Sequence, residues 1–159
     1  MPLARKNTRR AFSLIELVIV VVIIGIIAAI AIPRMSRGAA GAGDSALGSN
    51  LATLRKAIDL YAAEHDGSFP SVAKFTEQMT QYSNAAGDDF VTTKDATHPF
   101  GPYLRSIPVM NSGAKKGVSD VKGTADADGG WYYIATTGEI KADAVGTETD
   151  SSGKKFVDY

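Results

Sequence analysis

The 159 residues carry 17 basic and 17 acidic side chains and not one cysteine, so the chain can build one small domain plus an appendage, and disulfides, thiolate metal sites and cysteine nucleophiles are excluded. The formal charge of zero hides an asymmetry. Arg5, Lys6, Arg9 and Arg10 lie in the first ten residues with no acid among them; setting those four aside leaves 13 basic against 17 acidic groups and no basic surface that points to nucleic acid as a partner.

Met1–Ala11 is short, polar and basic. Phe12–Ile32 follows, its apolarity interrupted only by Ser13 and Glu16; as a helix these 21 residues span roughly 31 Å, the thickness of a bilayer's hydrocarbon core. The run is rich in β-branched residues, but unbroken apolarity of this length predicts a membrane helix rather than a strand. The basic leader places the N-terminus on the cytoplasmic side and the remainder outside; Arg34 and Arg37 at the far end oppose it with two charges against four. A secretory signal peptide is the rival reading, with a basic start and Ala28-Ala29-Ile30-Ala31 near the end of the run. Against it, the run exceeds the usual h-region of about 7–15 residues and carries an acid near its start.

Pro33 is expected to end or kink the span, and Gly38, Gly41, Gly43 and Gly48 to form a helix-poor, flexible hinge. Asp44 or Ser45 offers an N-cap for a following helix. Leu47, Leu51, Leu54, Ile58 and Tyr61 recur at helical spacing, with Arg55, Lys56, Asp59 and Glu64 off that face. Two heptads are too few for a coiled coil, so this face is read as the core stripe of a globular domain. His65-Asp66-Gly67-Ser68-Phe69-Pro70 stops the helix. A shorter helix is expected over Val72–Tyr82, with Phe75, Met79 and Tyr82 on one side, then a polar loop over 83–99 and a turn with a short extended piece over 101–108. Residues 111–130 read as loop. Trp131–Ala135 and Glu139–Ala142, around Thr136-Thr137-Gly138, form the best hairpin candidate, and 143–159 are expected to wrap or fray.

Arg10-Ala11-Phe12-Ser13-Leu14-Ile15-Glu16-Leu17-Val18 resembles the N-terminal cleavage and methylation signature of type IV pilins and type II secretion pseudopilins. The resemblance implies a cut between Ala11 and Phe12 by a prepilin peptidase, N-methylation of Phe12, and assembly through Glu16, fifth from the cut, and Pro33. The residue before the cut is Ala11 where the family most often has glycine. Leu54–Tyr61 with Asp66-Gly67-Ser68-Phe69-Pro70 looks like the corresponding stretch of major pseudopilins. The Pro-Trp-Gly signature of a standard major pseudopilin and the cysteine pair of many type IVa pilins are absent, which points to a divergent subfamily.

The resemblance implies an α+β, pilin-like fold: a long N-terminal helix, half membrane and half amphipathic, packed on a small C-terminal antiparallel sheet. The chain then divides into a leader over 1–11, an assembly helix over 12–33, an extracytoplasmic part of the helix with a glycine-rich hinge over 34–66, and a small head over 67–159. Its implied partners are further pilin-like subunits in a filament, the peptidase and an inner-membrane assembly platform. A secretion pseudopilus subunit is the leading expectation; a type IV pilus subunit and a membrane-tethered binding module are the alternatives.

The residues support the assembly reading. A carboxylate in a membrane helix costs about 2.5–3.5 kcal/mol near the centre and marks a functional site by default. Cleavage after Ala11 creates a partner for Glu16, the amine of Phe12, its own or that of a staggered neighbour. An unpaired Glu16 in a dry bundle is penalised and a paired one tolerated, so the pair can set axial register between subunits. The bland alternative is that Glu16 snorkels to the interface.

No cofactor is expected, with one candidate exception. Asp126-Ala127-Asp128-Gly129-Gly130 offers hard carboxylates on a glycine-bearing loop, and the resemblance implies calcium near the C-terminus; Asp120, Asp143 and Asp150 are possible further ligands. The EF-hand pattern fails, and a solvated turn before a strand is the default. No enzyme is expected: His65 and His98, the only histidines, are far apart in sequence, and no nucleophile elbow, phosphate loop or zinc spacing occurs. His65 is expected at a helix end, where an imidazolium is favourable.

Overall fold

The computed structural model describes residues 12–125, 128–144 and 146–159, and of Pro33, Ser36 and Arg37 the backbone alone. A single helix, α1, runs Leu14–Glu64. It continues through Pro33 and through Gly38, Gly41, Gly43 and Gly48, so the helix-poor stretch expected there is corrected. Each glycine costs a helix about 1 kcal/mol against alanine, but Gly43 gives room in return. A Cβ there would stand 2.8 Å from Ser112 Oγ and 3.1 Å from the Asn111 carbonyl, so the missing side chain lets a loop lie against the helix. Asp44 and Ser45 are mid-helix and not caps: Ser45 Oγ donates to the Gly41 carbonyl at 2.9 Å, and Asp44 turns into the fold.

The chain forms two compact units, one up to Gly38 and one from Ala39 to Tyr159. In the first, Leu14–Ile32 makes 19 helical residues long and apolar enough to cross a bilayer. Their large side chains, from Leu14 to Ile32, stand exposed along the whole run.

In the second unit, α1 buries Asp44, Leu47, Leu51, Leu54, Ala57, Ile58 and Tyr61, the expected stripe lengthened by one turn. The helix closes at Asp66 and Gly67, both left-handed (φ 52° and 81°), with the Gly67 amide donating to the Ala62 carbonyl at 2.8 Å. A 3-10 turn, Val72–Lys74, capped by Ser71, leads into α2, Phe75–Thr80. Phe75 and Met79 of α2 enter the core as expected; Tyr82 belongs instead to a strand.

Two small sheets complete the unit, and the fold is α+β. Strands β1 (Tyr82–Ser83) and β2 (Phe90–Val91) pair antiparallel, where a helix end at Tyr82 and a loop over 83–99 were expected. The second sheet has the order β3-β4-β5: Val121–Lys122, Trp131–Ile134 and Glu139–Ala142. The β4–β5 hairpin is the expected one, pairing Trp131 with Ala142 and Tyr133 with Ile140. Its inward residues Trp131, Tyr133, Ile140 and Ala142 join the α1 stripe, Phe75, Met79 and Met110 in the core. The turn needs Gly138, at φ 73°, because a Cβ there would meet the Phe69 ring at 2.5–2.9 Å. β3 pairs parallel to β4, Val121 against Trp131, so this sheet is mixed where an antiparallel one was expected.

The buried polar ends of the aromatic side chains are satisfied. Trp131 Nε1 donates to the Pro108 carbonyl at 2.7 Å and Tyr133 Oη to that of Pro70 at 2.9 Å. The last residues do not fray: Phe156 is buried at the start of a 3-10 turn, Phe156–Asp158, and Arg55 of α1 donates to the carbonyls of Ile140 (3.2 Å) and Tyr159 (2.6 Å).

Candidate functional site at the start of the first helix

The helix begins immediately after Ser13, and Glu16 stands in its first turn. Glu16 Oε2 accepts from the Ser13 amide at 3.0 Å, while the Ser13 carbonyl receives the Leu17 amide at 3.2 Å. This is half of a capping box, in which an acid at the third helical position satisfies a donor that the helix itself cannot. The same turn carries the positive end of the helix dipole, which favours a carboxylate. Phe12 and Leu14 are strongly exposed, at 89% and 80%. One hydrogen-bonded carboxylate is thus surrounded by exposed apolar side chains, an arrangement suited to pairing with a cation and to burial against other helices. The Ser13 amide as a partner of Glu16 was not anticipated from sequence; the Ser-x-x-Glu spacing was the available signal.

Ala11 lies outside the described residues, so the site holds Phe12 and Glu16 of the expected set. Pro33 has its backbone within α1. Asp126 also lies outside the described residues, and Asp128 is exposed in a bend before β4. Of the three aspartates named as further ligands, Asp120 is exposed and engaged through its backbone, and the other two have partners for their carboxylates. The Asp120 carbonyl receives the amides of Gly130 (2.9 Å) and Trp131 (3.0 Å). Asp143, buried, pairs with Lys115 Nζ at 3.0 Å. Asp150 accepts from the Tyr159 hydroxyl and from the amides of Ser152 and Lys154, both at 2.8 Å. The Tyr159 bond leads in holding the Asp150 carboxyl well below its usual range, and the same bond pushes the Tyr159 phenol up to about 12. Among the described residues no three His, Asp or Glu side chains converge in a way that would hold a cation.

The two histidines serve the head. His65 caps the end of α1 but is buried, with Nδ1 2.9 Å from the Tyr61 carbonyl and Nε2 3.1 Å from Ser83 Oγ. A carbonyl only accepts, so Nδ1 carries the proton. The ring stacks on Tyr61 with centroids 3.9 Å apart. His98 sits in the loop after β2 and meets two aspartates.

Residues 6–32 match the family model of the prokaryotic N-terminal methylation motif, the prepilin-type signal of type IV pilins and pseudopilins. No curated protein and no solved structure matches the chain.

Proposed function

We propose that this chain, which bears the prepilin-type signal of a type IV pilin-like subunit, is a pseudopilin of a type II protein secretion system. It is inserted in the inner membrane by Leu14–Ile32 with its N-terminus cytoplasmic and its head outside. A prepilin peptidase cuts between Ala11 and Phe12, Phe12 is N-methylated, and an inner-membrane platform polymerises the subunits through α1.

The observation that carries this reading is the hydrogen-bonded carboxylate of Glu16 in the first turn of a helix whose apolar side chains are exposed throughout. In a span that served only as a tether the acid would do no more than cap the helix, a small return for its cost in lipid. In an assembly, the Phe12 amine of a neighbouring subunit supplies the counter-charge, and helix packing covers the apolar surface.

Intact-mass measurement of membrane-extracted protein tests the processing. The expected mass is that of a chain starting at Phe12 with one added methyl group. A chain retaining Met1–Ala11, or one starting beyond Ile32, would return the span to a tether or a signal peptide. Surface microscopy tests the finer assignment: long filaments outside the cell at native expression would make the chain a type IV pilus subunit instead.

A further inference from the structure

His98 is held between two carboxylates. Its Nδ1 lies 2.8 Å from Asp95 Oδ1, and its Nε2 lies 3.3 Å from Asp89 Oδ2. The residue is 6% exposed, and its Nε2 is buried with Asp89 as a charge neighbour that does not meet hydrogen-bond geometry. Asp95 Oδ1 also receives the amides of Thr97 and His98, each at 2.8 Å, which fixes the ring's own loop around the carboxylate. The charged groups facing the ring are Asp95 from that loop and Asp89 from the turn before β2. Lys74, the cation of the neighbouring 3-10 turn, is directed to the Asp88 carbonyl (3.2 Å) and the Phe90 ring.

A neutral imidazole has one donor and one acceptor nitrogen. With Nδ1–H given to Asp95, a neutral ring would leave the buried Nε2 lone pair unpaired beside the Asp89 carboxylate, out of reach of water. Nδ1 also lies 3.0 Å from the Thr97 hydroxyl, but it is the imidazolium, a cation between two carboxylates, that this bracket suits best. We propose that His98 is a pH-operated latch, which as an imidazolium ties the exposed segment 92–97 to the turn before β2 and on deprotonation lets that segment go.

The Asp95 hydrogen bond, followed by that of Asp89, raises the His98 pKa against the opposing effect of burial. Bonds from Thr97 and then His98 hold Asp95 far below its usual range, so Asp95 stays charged throughout. Because the latched value is raised, the latch is fully engaged below the ordinary histidine pKa of about 6.5 and is lost as pH rises through the raised value. Between the two, the opening constant rises about tenfold per pH unit. Phe100, two residues on, exchanges backbone hydrogen bonds with Ser83 and lies 5.2 Å from the His65 ring, so the release stops at a fixed point.

The test uses the full chain in detergent micelles with isotope-labelled histidine. His98→Gln assigns the two imidazole signals. His98 should titrate above about 6.5. Exchange protection of the 92–98 amides, corrected for the intrinsic rate, should fall over the same pH range. Asp89→Asn, an exposed position (71%), should move both transitions to lower pH. His98→Gln should abolish the pH dependence with the melting temperature unchanged; if that variant does not fold, Asp89→Asn decides alone. A His98 midpoint at or below the ordinary value, or protection that follows neither the titration nor Asp89→Asn, overturns the latch.

Discussion

Asp44 Oδ2 accepts the Ser151 amide at 2.8 Å, joining residues 107 positions apart in the chain. Its other oxygen accepts the Ser112 hydroxyl at 2.9 Å, so one buried carboxylate on α1 holds two loops of the head.

Asp44→Ala should therefore destabilise the head. Hydrogen bonds to a charged group contribute about 1.5–3 kcal/mol, and a loss in that range should appear as a lower urea midpoint with an unchanged slope. A change below about 0.5 kcal/mol, the size usual for surface substitutions, would mean that the loops hold by packing alone.

The same residue gives a pH dependence. Burial raises the Asp44 pKa, but the bonds from Ser151 and Ser112 outweigh it and leave the value lowered. Its stabilisation is thus present above the ordinary aspartate value and is lost as pH falls through the depressed one. Melting temperature followed from pH 5 downward should drop more steeply for the native chain than for Asp44→Asn.

Glu16→Ala should spare membrane insertion and cleavage but stop assembly. Removing the carboxylate makes the span more apolar, so insertion has no hydrophobic reason to suffer. The Phe12 amine of a neighbour is left uncompensated, and breaking one half of a buried pair costs about 3–5 kcal/mol at every subunit. Processed monomer should accumulate in the membrane, and Glu16→Asp should be intermediate. Normal filaments from Glu16→Ala, counted by electron microscopy, would show that apolar packing sets the register unaided.

Gly138→Ala should strain the β4–β5 turn, because the position is left-handed and a Cβ would press on the Phe69 ring. The expected loss is about 1–3 kcal/mol, read from denaturant unfolding. Glu139→Ala, next to it and exposed, should be near neutral by the same measurement.

Calcium should leave the melting temperature of the full chain unchanged, since Asp143 and Asp150 already have cation or donor partners. At a hundredfold excess over Kd a bound ion would add about 2.7 kcal/mol. A clear rise over chelator at millimolar Ca²⁺, removed by Asp128→Asn, would establish a site at the 126–130 loop.

Much of this architecture is legible from spacing. Leu47, Leu51, Leu54, Ile58 and Tyr61 repeat at the helical period, and all five are buried. Trp131–Ile134 and Glu139–Ala142 announce themselves by β-branched and aromatic content around a glycine. The glycines of α1 mislead, because propensity records what a glycine costs a helix and is blind to the neighbour it admits; Ser112 is 69 positions from Gly43. The two-residue strands β1, β2 and β3 are too short to carry any periodicity. Ser13 and Glu16 were readable as a motif, whereas Asp44 and His98 were not, since their partners are set by the closing of distant loops.

The position of the hydrophobic partners along the chain also dictates an order of events during synthesis. Leu47, Leu51 and Leu54 leave the ribosome early, yet their core contains Trp131, Ile140 and Phe156, which come at least 77 positions later. Until those residues arrive, a nascent chain shows two sticky faces in succession, one from Phe12 to Ile32 and one from Leu47 to Tyr61. Contacts this distant form slowly. A chain stalled before residue 131 should therefore be a client for chaperones and proteases, even with every residue of α1 already made.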